Sequence, residues 1–158
     1  MGEHPNAKVA LTSDDGEVET LWAFDLGAGR YRLDNLPWYA YGVSAADVIE
    51  AKADENGQLH FVRVLEKSGN RTVRVILQID QLTGKMTFDS QRVLPAVEAL
   101  GCSWEGASAS FIAVNIPPTV DLAAVTEALN ERDVEWEYAD PTPEEMGIVP
   151  EQDDGSAK

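Results

Sequence analysis

The stretch NLPWYAYG, residues 35–42, gathers the side chains of this sequence best suited to recognition: Asn35, Trp38, Tyr39 and Tyr41, with Pro37 and Gly42 beside them. Aromatic rings left in water beside a hydrogen-bonding amide are what a binding patch uses. In an extended segment Trp38 and Ala40 face one way and Tyr39 and Tyr41 the other. One set must be more exposed than the other; if Tyr39 and Tyr41 fill the barrel, Trp38 faces solvent. Trp38, Tyr39, Tyr41 and Asn35 are the candidate binding residues. The competing reading is architectural, in which the rings close the corner of a small barrel.

Signals for catalysis are lacking. A nucleophile needs a base beside it, and the ring bases are His4 and His60. His4 lies in a polar N-terminus, and His60 alternates with Val62 and Val64 as a strand residue does. Cys102, the single cysteine, follows a helix-ending Gly101 and reads as a small buried hydrophobe. A lone cysteine also forms no staple within the chain, which fits a reducing, cytoplasmic setting. Metal sites need ligand pairs at fixed spacing, and the acidic turns SDDG and QDDG supply too few. The glycines of LGAGRYR precede a strand rather than a helix, so they make a turn and not a phosphate loop. The expectation is no catalytic residue, no metal and no cofactor.

Charge narrows the partners. There are 28 acids against 12 lysines and arginines among 158 residues, a net charge of −16. From Glu131 to Lys158 ten acids face two bases, so −8 of the −16 sits in those residues. Such an excess repels phosphate backbones and excludes nucleic acid as a partner. FIAVNIP carries Phe111 but no basic residue, so an RNA-binding strand motif is also rejected. The charge favours solubility and steers the chain toward a basic protein partner. No run approaches the ~18 apolar residues of a membrane span, and the N-terminus lacks the blocks of a signal peptide. No membrane association is expected.

The elements that must position these residues follow from periodicity. Residues 1–17 read as a flexible N-terminus, apart from the short apolar patch Val9, Ala10 and Leu11. Residues 18–69 carry β signals throughout and read as a small β-barrel-like subdomain. ETLWAFDL alternates Leu21 and Ala23 with Trp22 and Phe24, and DVIEAKAD returns through Asn56-Gly57, a strong hairpin signal. QLHFVRVLEKS is apolar on both faces, so both are expected to be covered.

Residues 70–140 change pattern. RTVRVILQID places Val73, Val75, Leu77 and Ile79 opposite Thr72, Arg74, Gln78 and Asp80, a half-buried strand. SQRVLPAVEALG gives a helical stripe of Val93, Leu94, Val97 and Leu100, with Pro95 either near its start or kinking it. CSWEGASASFIAVNIPP reads as two strands. TVDLAAVTEALNERDVE is a second helix capped by Asp121, and VEWEYAD a last strand. The order is βαββαβ. The fold class is therefore α+β, an N-terminal small β-barrel-like half followed by a ferredoxin-like half, with helical crossovers joining parallel neighbours. Residues 141–158 are rich in proline and acid and read as a disordered acidic tail.

LWAFDLGAGRYRLDNLPWYAYGVSAADVIEAKADENGQLHFVRVLEKSGNRTVRVIL, followed by EALGCSWEG, VNIPPTVDLAAV and WEYADP, resembles the bacterial family known as domain of unknown function 4265. The resemblance runs from roughly Thr20 to Pro141. Its most specific part is Asn35, Pro37, Tyr39, Gly42, Ser44 and Asp47 at this spacing, then VRVLEKSG. It implies an intact member and assigns no activity or catalytic residue.

Two functional readings remain. The first is a non-catalytic acidic binding protein that masks a basic partner surface, as bacterial immunity proteins do. That parallel rests on charge and fold alone. The second is a small-molecule sensor or enzyme domain using the barrel mouth or the ferredoxin-like sheet.

Overall fold

Five strands close into a barrel in the order β1 (Ala7–Thr12), β2 (Val18–Gly27), β3 (Arg30–Leu33), β4 (Val48–Ala53) and β5 (Leu59–Glu66). The structure is a computed structural model that describes residues 4–108 and 110–148. β1 pairs antiparallel with β2 along its whole length and parallel with β5 at Val9 and Ala10, which closes the ring. The expected flexible N-terminus is thus corrected. Val9, Ala10 and Leu11 are buried in the barrel core, and burying three apolar side chains offsets the entropy of ordering a short strand.

The barrel core is built from alternate positions, among them Leu11, Leu21, Leu33 and Ile49. β5 departs from the expectation of two covered faces. Leu59, Phe61 and Val64 pack inward, while Val62 and Leu65 are exposed. A register shift opposite Glu50 and Ala51 turns part of the strand outward.

A second, four-stranded sheet follows in the order β7-β8-β6-β9. Its strands are β6 (Arg71–Ile76), β7 (Ser103–Gly106), β8 (Phe111–Ile116) and β9 (Glu135–Asp140). Every paired neighbour is antiparallel. β8 lies between β6 and β7, so the helical crossover does not join adjacent parallel strands as the sequence reading expects. Helices α1 (Phe88–Gln91) and α2 (Val93–Ala99) connect β6 to β7, and α3 (Leu122–Glu131) connects β8 to β9. The helix expected from Ser90 onward is split at Arg92, and Pro95 falls in the first turn of α2, where its missing N–H costs little. Asp121 caps α3, its side chain accepting the Ala123 N–H. Val93, Val97, Val125 and Leu129 from the helices pack on Val73, Val75, Ile112 and Val114 from the sheet.

β6 is not half-buried. Thr72 and Arg74, on the face away from the helices, are as inaccessible as the valines, because the segment after β3 packs on that face. A polar lock fastens the two halves there. Lys67 Nζ reaches Asp140 Oδ2 at 2.5 Å and Asp47 Oδ2 at 2.6 Å. Ser44 Oγ donates to Asp140 Oδ2 at 2.6 Å and lies 2.8 Å from Thr72 Oγ1. Asp47 and Ser44 are fully buried, and such groups are retained only when bonded.

The expectation of a disordered tail from Pro141 is corrected over residues 142–148. Residues 142–148 form a turn in which the Thr142 N–H donates to Glu145 Oε1 and the Glu145 N–H to Thr142 Oγ1, a reciprocal cap. The remainder of that expectation, residues 149–158, lies outside the described residues. No helix among the described residues is long and apolar enough to cross a membrane.

Candidate functional site

The segment after β3 is shaped by one carboxylate. Glu19 occupies an inward phase of β2, two residues before Leu21, and is buried. It accepts three successive backbone N–H groups: Trp38 at 2.6 Å, and Tyr39 and Ala40 at 2.9 Å each. Convergent N–H groups of this kind form an anion-holding nest, here filled from within the chain. Asn35 accepts the Trp22 N–H at 2.9 Å and ties the segment to β2. Gly42, at φ 79°, donates its N–H to the Ala139 carbonyl of β9. A side chain there would be strained in the left-handed region and would meet Thr142.

This wrapping breaks the alternation expected of an extended segment. Tyr39 and Tyr41 are 41% and 46% exposed, and do not fill the barrel. Trp38 is half-buried, its ring 6.2 Å from that of Phe111. Tyr39 stacks on the same Phe111 at 6.5 Å. The physical reason is that the three N–H groups bend toward one acceptor, which brings the adjacent Trp38 and Tyr39 rings onto the same partner, Phe111.

Arg74 supports the segment from beneath. It is 2% exposed, and its Nη2 donates to the Ala40 carbonyl. Its guanidinium lies 4.9 Å from the Tyr41 ring and 3.4 Å from Glu137 Oε2. Burial pulls the Arg74 guanidinium below its ordinary value, against the charges of Glu137, Tyr41 and Glu19. The Tyr41 hydroxyl donates to Glu137 Oε1 at 2.7 Å. Burial, then this hydrogen bond, pushes the Tyr41 hydroxyl up to about 12.

Three cavities meet around Tyr41 and Asp14, which line all of them. The largest, about 670 Å³, lies between β9 and the 142–148 turn. Trp136 and Tyr138, in edge contact at 4.9 Å, form its apolar wall, and Asp14, Glu137 and Glu144 supply its charge. A second cavity, about 150 Å³, adds Asp15, Glu17, Trp38, Tyr39 and Phe111. The result is one cleft of aromatic walls and carboxylates at the seam between barrel and sheet. Trp38, Tyr39 and Tyr41 line it, and Asn35 does not.

The residues weighed for catalysis are elsewhere. His60 pairs with Asp54 at 2.8 Å on the β4–β5 hairpin. Cys102 is buried in the second core, where burial pushes its thiol up. Among the described residues, no group of three or more histidine, cysteine, aspartate or glutamate side chains is placed to hold a metal ion.

The family model described as "Domain of unknown function (DUF4265)" matches residues 19–138. The chain belongs to that family. The DUF4265 match opens on Glu19 and closes on Tyr138, so it spans the nest, Arg74 and the aromatic wall of β9. Asp14 and the 142–148 turn lie outside it. No curated protein matches the sequence. The DUF4265 chain is similar in structure to a hypothetical protein from Neisseria gonorrhoeae, known from a crystal structure. The TM-score is 0.70 at 16% identity, covering 87% of this chain and 96% of that one, a likeness of fold.

Several residues that line or support the cleft of this DUF4265 domain escape a linear reading. Glu19 and Arg74 are charged residues in buried strand phases, and that mismatch is the signal that could have found them. Asp14, Trp136, Tyr138 and Glu144 come together only through closure of the barrel and the chain reversal after β9.

Proposed function

We propose that this protein is a non-catalytic acidic binding protein that takes a basic segment of a protein partner into the cleft around Tyr41, masking that partner's basic surface as an immunity protein does. The observation that carries the reading is the convergence of Asp14, Glu137 and Glu144 on a cavity walled by Tyr41, Trp136 and Tyr138. Aromatic faces and carboxylates together favour lysine and arginine side chains. The Arg74 guanidinium over the Tyr41 ring displays the same contact within the chain. The overall charge of −16 adds attraction at a distance. We read the setting as cytoplasmic, on the lone cysteine.

We also read the second sheet as ferredoxin-like. Its strand order, antiparallel pairing and helical crossovers support that assignment. The small-molecule alternative draws on one observation, the cavity volume of about 670 Å³, which lies within the range of ligand pockets.

Titration with a short peptide alternating arginine and valine, followed by tryptophan fluorescence at low and raised salt, tests the proposal. Binding should weaken as salt rises, and the double variant Glu137→Gln, Glu144→Gln should lose about tenfold in affinity. A peptide with lysine-free, arginine-free composition that binds equally well would favour the small-ligand or purely apolar reading. Absence of binding by the basic peptide would sink the proposal.

A further inference from the structure

The sheet order leaves β9 paired on one side only, with β6. Its last residues are covered. Gly42 donates to the Ala139 carbonyl at 2.8 Å, and the Asp140 side chain is held by Lys67 and Ser44. From Glu135 to Tyr138, no strand among the described residues pairs with the outer edge.

The large cavity lies against that edge. Trp136 and Tyr138 pack with the core on the helix side of the sheet. Glu137 points to the other face, where it meets Tyr41 and Arg74. All three line the same cavity. Side chains from opposite faces of one strand share a cavity only where that cavity wraps the strand's edge. The groove therefore runs along β9, with Pro143, Glu144 and Ile148 as its far wall.

We infer that the partner's segment binds as an added strand on the outer edge of β9, and that it alternates basic and apolar residues. This rests on the cleft reading above and specifies its geometry. Main-chain hydrogen bonds to an edge supply affinity, and alternate side chains supply specificity. One set of side chains on the added strand falls beside Glu137 and Asp14 and suits arginine or lysine. The other set falls beside Trp136 and Tyr138 and suits valine or isoleucine. Four residues of edge span about 13 Å, enough to fix register with two residues of each kind. A second copy of this chain does not fit, because pairing two β9 edges would set Glu135 and Glu137 of each against like charges.

The test uses the full chain and three forms of the arginine–valine peptide: unmodified, N-methylated on the arginines, and N-methylated on the valines. In a strand, the N–H groups of one set face the neighbouring edge and those of the other face away. Edge pairing predicts that one methylated form loses affinity by about tenfold or more while the other binds like the parent. Amide hydrogen exchange at residues 135–138 should slow when the parent peptide binds. Equal binding by all three peptides, with exchange unchanged, would overturn strand addition and leave the charge-based cleft reading standing. Failure of the unmodified peptide to bind would overturn both.

Discussion

The Glu19 carboxylate, on β2, accepts the Trp38 backbone N–H at 2.6 Å. The same group also holds Tyr39 and Ala40, so one side chain sets the path of the aromatic segment. Removing it strands three N–H groups, one of them in a buried residue. Glu19→Ala should cost about 3–5 kcal/mol, as the loss of a buried, hydrogen-bonded charge does. Glu19→Gln keeps an acceptor and should cost less, about 1–2 kcal/mol. Denaturant unfolding of the two variants decides. A loss under about 1 kcal/mol for the alanine variant would show that the segment holds its shape without the nest.

The Lys67 lock should appear in the alkaline limb of stability. Burial works to lower the Lys67 ammonium, but hydrogen bonds and charge from Asp140 and Asp47 outweigh it and hold the group above its ordinary 10.5. A cation held up in the folded state contributes stability that is complete below the unfolded value and lost as pH rises through the folded one. Unfolding midpoints should therefore fall above pH 10.5 in the native sequence. Lys67→Met should be less stable at neutral pH and should lack that component of the alkaline fall. Identical pH profiles for the two proteins would remove the lock from the account.

Tyr41 titrates separately. Its hydroxyl is pushed up to about 12 from an ordinary 10, first by burial and then by the bond to Glu137, with the Arg74 charge opposing. The unfolded tyrosine ionises first, so its contribution to stability is full below pH 10 and declines toward pH 12. Tyrosinate absorbance should show a late transition that Tyr41→Phe abolishes and Glu137→Gln moves downward. A late transition surviving in the phenylalanine variant would assign it to another tyrosine.

The second core makes the plainest stability prediction. Leu77, 2% exposed, follows β6 and packs among Val93, Val97 and Ile112. Leu77→Ala should cost about 2–5 kcal/mol by lost burial and a residual cavity. Thermal or denaturant unfolding reads it, and a change below about 0.5 kcal/mol would mean the helices do not pack there as described.

Periodicity by itself determined where most elements lie. The alternation of Leu21 with Trp22, the Asn56-Gly57 turn, the stripe of Val93 and Val97 and the Asp121 cap are local signals, because each depends on neighbours within one or two turns of chain. Composition likewise determined the acidic character, because net charge is a sum over residues that does not depend on the fold. Three further matters were decided only by tertiary structure. Val9 to Leu11 became a strand because β2 and β5 close around it, a contact across about 50 residues in the case of β5. Thr72 and Arg74 became buried because the segment after β3 covers the far face of β6, which no period within the strand records. The aromatic segment turned Tyr39 and Tyr41 outward because its N–H groups converge on Glu19, about 20 residues earlier. Asp14, Tyr41, Glu137 and Glu144 are scattered in sequence, and only the seam between barrel and sheet brings their charges to one cavity.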